Sequence, residues 1–259
     1  MSINFIKMNA IGNDFVIVDV RKNDVKFSSI QIQKICDRKN IGCDQFILIK
    51  NCDDAHCFME IFNQDGSKSG ACGNATRCVA SLIMAEKNLD KITIKTDVGI
   101  LPCEKKENEI IVAMSSPKFG TDFYFDDLKF SCVDVGNPHA VSFANYIPAD
   151  EEFFSIAPQI EKHQFFPNKT NVEFVKILPN SVAEVRVFER GVGETMGCGS
   201  GACAVAAIMI KNKLTDKNEV LVRFRGGDLK IFWTGQDAPI MMQGAYQKIF
   251  DGKIDESFL

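Results

Sequence analysis

The sequence predicts an α+β protein built from two pseudo-symmetric domains, each a mostly antiparallel β-sheet or barrel wrapped around a central buried helix. Three observations carry this. The string FNQDGSKSGACGNATRCVASLIM (62–84) aligns without a gap on FERGVGETMGCGSGACAVAAIMI (188–210), with Cys-Gly on Cys-Gly and Val-Ala on Val-Ala. Five of the 23 positions are identical, so the pairing needs support from outside the window, and it has some. Gln45 meets Asn171 at the same offset, and Gly12-Asn13 meets Gly136-Asn137 after a shift of two residues. Short β-branched runs dominate both halves, and in each half one long apolar run follows the Cys-Gly pair. An internal repeat constrains architecture more than any local propensity does.

The first half reads as strands at INFIKM, FVIVDV, QFILIK, CFMEIF, KITIKT and EIIVAM. The second reads as strands at KFSCVDV, AVSFAN, NVEFVKI, AEVRVFE, EVLVRF, LKIFW and PIMMQG, with Asn, Asp, Gly and Pro between them. SSIQIQKICDR (28–38) has a serine start and apolar residues at helical period. The segments 73–88 and 199–213 are apolar nearly all round, as expected of helices enclosed on most sides. Pro and Gly interrupt the strand pattern near SSPKFGTDF (115–123), which divides the chain into domains 1–116 and 117–246.

Composition narrows the class. A hydrophobic fraction of 46% with 25% charged residues is that of a water-soluble globular protein. A net charge of −4 without a basic cluster leaves no footprint for nucleic acid. The N-terminus lacks the apolar stretch of a signal peptide, and runs such as ACAVAAIMI are too short to span a bilayer. The expectation is a cytoplasmic protein with no nucleic-acid or membrane partner. Ten cysteines in that setting point to thiols, and no two stand as C-x-x-C. Cys52, His56 and Cys57 in CDDAHC fall short of a four-ligand zinc set, so no metal is expected. Cys36, Cys103 and Cys132 read as small core residues, as do Cys78 and Cys203 within their helices.

Cys72 and Cys198 are different, because each begins a helix. A helix N-terminus lowers a thiol's pKa toward neutrality. The first N–H groups of a helix have no partner within it and suit a carboxylate. Here these belong to Gly73 and Asn74 in the first half, and to Gly199 and Ser200 in the second. Each half therefore offers a carboxylate grip with a thiol beside it. Two such halves facing one substrate would place a thiol on either side of its α-carbon. One thiolate removes the α-proton and the opposite thiol delivers another to the other face, which inverts the centre. Pseudo-symmetry suits this, since the reverse reaction exchanges the two roles. The scheme needs no cofactor, and the glycines of GVGETMGCGSG (191–201) do not follow a dinucleotide fingerprint.

At these residues the sequence closely resembles the diaminopimelate epimerases. The matching motifs are GNDFVIVD (12–19), GCDQ (42–45), NQDGS (63–67), ACGNATRC (71–78), GNPH (136–139), TNVEFV (170–175) and ERGVGETMGCGSGAC (189–203). The resemblance implies a cleft between two similar domains, Cys72 and Cys198 as base and acid, and interconversion of LL- and meso-2,6-diaminopimelate for lysine and cell-wall precursors. It implies that Asn13, Gln45 and the backbone after each cysteine recognise the reacting end. Asn63, Asn137, Asn171, Glu189 and Arg190 would hold the distant amino-carboxylate, a role suited to arginine's fork of donors and an acidic partner for ammonium. It implies further that the tail 247–259 returns to the first domain. Ala75 and Gly197 depart from the residues usual there, glycine and alanine, without removing a functional group. His139, the only histidine within a motif, is a candidate for tuning a cysteine's pKa. Two alternatives stand beside this reading. One is a proline-type racemase, whose first cysteine is typically followed by Gly-His where this chain has Gly73-Asn74. The other is a thiol redox switch or a non-catalytic binder of small molecules.

Overall fold

The computed structural model describes residues 2–23 and 25–258. They form two compact units, Met1–Val112 with Gly244–Leu259 and Ala113–Gln243. The first unit runs β1 (Ser2–Ala10), β2 (Asn13–Asp19), α1 (Ser29–Cys36), β3 (Gln45–Lys50), β4 (Cys57–Asn63), β5 (Lys68–Ser69), α2 (Gly73–Lys87), β6 (Lys91–Thr96), β7 (Gly99–Lys106) and β8 (Glu109–Ala113). Neighbouring strands pair antiparallel except where a helix intervenes. The α1 connection makes β2 and β3 parallel, and the α2 connection does the same for β4 and β6.

The second unit repeats this order. It contains β9 (Lys118–Phe119), β10 (Phe123–Phe125), β11 (Leu128–Asp134), β12 (Pro138–Ala144), α3 (Asp150–Glu161), β13 (Asn171–Leu178), β14 (Val182–Glu189), β15 (Gly193–Thr195), α4 (Gly199–Lys211), β16 (Glu219–Phe224), β17 (Gly227–Phe232) and β18 (Met241–Ala245). Again only the helix-spanned pairs, β12 with β13 and β14 with β16, are parallel. A final strand, β19 (Gln247–Asp255), lies antiparallel on β1 in the first unit, with Ser2 opposite Asp255.

Register demonstrates the duplication where sequence identity is thin. Phe15 pairs with Gln45 across β2 and β3, and His139 pairs with Asn171 across β12 and β13. The two-residue shift between the repeats therefore falls in the connections that carry α1 and α3. Helix α3 is not legible in the sequence, because Pro158 interrupts its apolar pattern and no side chain caps its start. Three acidic residues in its first turn favour the helix through its dipole. Phe153, Ala157 and Ile160 supply the buried face. By contrast α1 has the serine cap read from sequence, completed as a capping box by Ser28 and Gln31.

The parallel pairs β2/β3 and β12/β13 are covered on both faces, which is why they read as unbroken apolar runs. In the first unit Val16, Val18, Phe46 and Leu48 pack with Ile32 and Ile35 of α1. Successive side chains on a strand point to opposite faces, so Phe15, Ile17, Gln45 and Ile47 face the other way, toward α2. In the second unit Ala140, Val172 and Phe174 pack with Phe153, Ala157 and Ile160 of α3. The same alternation turns His139, Val141, Asn171 and Glu173 toward α4. Helices α2 and α4 are buried along most of their length, as their lack of a polar face implies.

Candidate active site

Both predicted thiols sit at helix N-caps. Cys72 caps α2 with an extended backbone, and its sulfur accepts the Ala75 N–H at 3.5 Å. Cys198 caps α4 in the same conformation, and its sulfur accepts the Gly201 N–H at 3.4 Å. Cysteine is not among the residues that cap helices well, which are serine, threonine, aspartate and asparagine. Its use at both equivalent caps points to chemistry rather than helix stability. In each case the next two N–H groups, of Gly73 and Asn74 or of Gly199 and Ser200, lie outside the helix's own hydrogen bonding.

In the first unit a tight turn delivers Asn13. Ile11 and Gly12 both take positive φ, 50° and 81°, as a two-residue hairpin of the primed type requires. A β-branched residue in that region is strained, and the strain lies two residues from a predicted site residue. Gln45 opens β3 and stands opposite Asn63, the last residue of β4. Its Nε2 donates to Asn63 Oδ1 at 3.2 Å, and Asn63 Nδ2 donates to Ser67 Oγ at 3.1 Å. Asn13 Oδ1 and Gln45 Oε1 are buried and have no hydrogen-bond partner. Such atoms are costly unless something supplies a donor. Arg77, fully buried in α2, donates to Asn74 Oδ1 at 3.0 Å and to the Ala245 carbonyl at 3.3 Å.

A charged cluster locks the two motifs that carry Asn13 and Gln45. Asp14 and Asp44 exchange bonds, Asp14 N–H to Asp44 Oδ2 at 2.9 Å and Asp44 N–H to Asp14 Oδ1 at 3.1 Å. Arg38 holds Asp14 through both oxygens at 2.7 and 2.8 Å, and Lys7 lies 2.5 Å from it. Burial pushes the Asp14 carboxyl up, but Arg38 and Lys7 more than offset this and hold it well below the usual carboxylate range.

In the second unit Asn137, His139 and Glu173 form a chain. His139 Nδ1 lies 2.6 Å from Glu173 Oε1, and Nε2 lies 2.9 Å from Asn137 Oδ1. Asn171 is buried, with Oδ1 accepting the Arg190 N–H at 2.9 Å and Nδ2 donating to the Pro138 carbonyl at 2.8 Å. One N–H and one lone pair are thus left for a ligand. Arg190 is exposed, and its guanidinium donates to the Asn168 carbonyl at 3.3 Å. Glu189 ends β14, and Thr195 Oγ1 donates to it at 2.5 Å. Burial pushes its carboxyl up against the pull of Thr195 and of the Cys198 thiol, which hydrogen-bonds it.

Cys198 departs from the expectation that a helix N-terminus lowers a thiol's pKa. Burial raises it well above the ordinary value, the charges of Glu189 and Glu173 add to this, and bonds from Ser200 and Gly201 only partly oppose them. Glu173, Asp14, Asp44, Arg38 and Thr195 surround the candidate residues but do not stand out in the sequence. A signal for Glu173 was present: a carboxylate in NVEFVKI, two residues from Asn171, where the equivalent strand QFILIK carries Ile47.

The duplicated α+β unit, with a thiol capping the central helix of each copy, belongs to an isomerase, and its family makes it an epimerase. The sequence profile of the diaminopimelate epimerases matches residues 5–120 and 131–249. The diaminopimelate epimerase of Acidiphilium cryptum is 36% identical over 272 residues, covering 98% of this chain and 97% of that protein. That of Pelagibacter ubique is 40% identical over 238 residues, covering 84% and 86%. A PhzF-family phenazine biosynthesis protein of Bacillus anthracis shares the fold at a TM-score of 0.74 and 18% identity, over 98% of this chain and 99% of that one. The chain belongs to the diaminopimelate epimerase family, and its reaction is the epimerisation of diaminopimelate. No helix among the described residues is long and apolar enough to cross a membrane.

Proposed function

We propose that the chain interconverts LL- and meso-2,6-diaminopimelate by proton transfer between two thiols, without a cofactor, in the cytoplasm and as a homodimer. The observation that carries this reading is the equivalence of Cys72 and Cys198: each caps the buried central helix of one repeat, with its sulfur on the third helical N–H. One thiolate takes the α-proton, and its electrons spread toward the α-carboxylate bound at the helix N-termini. The thiol of the other repeat then gives its proton to the opposite face, which leaves the first sulfur protonated and the second ionised. The reverse reaction uses the same groups in exchanged roles.

Asn13 and Gln45 support recognition of the reacting end, since their unpartnered oxygens suit an ammonium donor. Asn63, Asn137, Asn171, Glu189 and Arg190 are assigned to the distant amino-carboxylate. That zwitterionic end favours diaminopimelate over proline, which lacks it. The test is incubation with LL-diaminopimelate in deuterated water, with chiral separation and mass analysis of the products. The expected result is the meso form carrying one solvent deuterium at one α-carbon. Folded, reduced protein that gives neither conversion nor exchange would refute the reading.

A further inference from the structure

The two repeats carry an ion pair at the same place with the signs exchanged. Leu48 pairs with Glu60 and Phe62 with Lys68 in the first unit, as Phe174 pairs with Arg186 and Phe188 with Glu194 in the second. Lys68 Nζ reaches Glu60 Oε1 at 2.5 Å, and Arg186 Nε reaches Glu194 Oε1 at 2.7 Å. Residues paired across strands share a face, so these pairs lie on the side of α1 or α3, away from the cysteine helices. Each joins a long strand to the short one that returns from a turn and leads into the cysteine, β4 to β5 and β14 to β15. An ion pair kept at this place while its charges are reversed points to the link itself rather than to either residue type.

The second unit strengthens that link. Lys68 is 60% exposed, whereas the Arg186 side chain is 3% exposed and its guanidinium lies 3.9 Å over the Phe153 ring of α3. Arg186 grips Glu194 through a second bond, Nη2 to Oε2 at 3.1 Å, and donates also to Asp150 Oδ1 at 2.7 Å and the Pro148 carbonyl at 2.9 Å. Burying a charge is costly even when it is paired, and the first unit packs with an exposed one. The turn beyond the pair differs too. In the first unit it begins with the neutral Asn63, and in the second with Glu189 and Arg190. The second turn then passes through Gly191 and Gly193, both at positive φ, 75° and 103°. Glycines leave a turn many conformations. Asn171 and Glu161 hold its outgoing limb by accepting the N–H groups of Arg190 and Gly191. The returning limb, β15, pairs with β14 over only three residues. Glu194 anchors it to Arg186 and to Arg225, 3.0 Å away, and the Gly226 N–H donates to the Met196 carbonyl at 2.7 Å.

We infer that Arg186 is a positioning residue for the reaction: through Glu194 it fixes β15, and so holds Thr195 against Glu189 and aims the chain into Cys198. The inference rests on the roles proposed above for Glu189 and Cys198. Side chains alternate along β15, so Glu194 meets Arg186 on the α3 side while Thr195 faces the other way and donates to Glu189. Cys198 follows three residues after Thr195. A strand this short carries a displacement at Glu194 to both of its ends.

Arg186→Met and Glu194→Ala test this, with Glu194→Gln, which keeps an acceptor for Arg186 Nε, as the conservative variant. The readouts are amide hydrogen exchange over residues 190–198, followed by mass spectrometry, and KM and kcat with LL-diaminopimelate. In the first two variants exchange over 193–197 should quicken ~10- to 100-fold, while the interior of α4 and the first unit exchange as in the wild type. The ratio kcat/KM should fall ~10- to 100-fold, mostly through KM, with Glu194→Gln between these variants and the wild type. A merely structural role would lower the melting temperature and the amount of active enzyme but leave KM unchanged. Unchanged KM in a folded variant, or unchanged exchange over 193–197, would overturn the inference. Glu194→Ala decides the matter if Arg186→Met does not fold. Exchange needs no substrate. A wild type that does not epimerise diaminopimelate would therefore remove the proposed function, while exchange would still decide whether Arg186 fixes β15.

Discussion

Replacing Asp14 with asparagine tests how the chain holds Asn13 and Gln45, two side chains proposed to recognise the substrate, without contact from a substrate. Asp14 follows Asn13, and its partner Asp44 precedes Gln45, so loosening this cluster loosens both. The D14N variant keeps the size and, through its one oxygen, the bonds from Arg38 and the Asp44 N–H, but it removes the charge and the acceptor of Lys7. Arg38 is 56% exposed and retains Asp44, so its share of the loss is under about 1 kcal/mol. Lys7 decides the magnitude. Its side chain is 7% exposed, and without Asp14 its ammonium keeps only the Gly42 carbonyl. A buried charge deprived of its partner costs ~3 kcal/mol.

Urea unfolding followed by circular dichroism measures this, and a double-mutant cycle with Lys7→Met isolates the pair. Lys7→Met should be markedly less damaging in the D14N background than in the wild type, because the double variant no longer buries an unpaired ammonium. The Asp14 carboxyl is held below its ordinary range, so its contribution is present above the unfolded value of about 3.9 and lost as pH falls from there toward the folded value. The gap between wild type and D14N should accordingly close in acid. A D14N cost below about 1 kcal/mol, or no coupling to Lys7, would refute this account of the cluster.

Other outcomes follow from single contacts. Gly201→Ala puts a methyl 2.8 Å from Glu173 Oε1 and 3.2 Å from Cys198 Cβ, so kcat should fall roughly tenfold or more while circular dichroism stays native; full activity would mean that this turn tolerates displacement. Cys78 lies one residue past Arg77 inside α2, and burial pushes its thiol up to about 12. Cys78→Ala should leave turnover within about twofold, whereas Cys72→Ser should abolish it, and steady-state rates for the pair of variants separate a packing cysteine from a reacting one.

The sequence by itself determined the repeat, the two Cys-Gly helices and the motif residues. These are local signals: an apolar run of 13 to 15 residues is too long for an ordinary strand and reads as a buried helix, and Cys-Gly stands at the start of each run. It also carried most of the strands, and the serine cap of α1 was legible for the same reason. Helix α3 was not, since Pro158 and the missing cap obscure a helix that depends on packing against Val172 and Phe174. The motif TNVEFV was visible, yet the partners of Glu173 within it were not. Nothing local says that Glu173 meets His139, 34 residues away, or that its carboxylate lies under the helix begun by Cys198. Tertiary structure also decided the ionisation of that thiol. A helix N-terminus favours the thiolate, but burial beside two carboxylates outweighs a few oriented N–H groups, and burial is a property of the whole unit rather than of any segment.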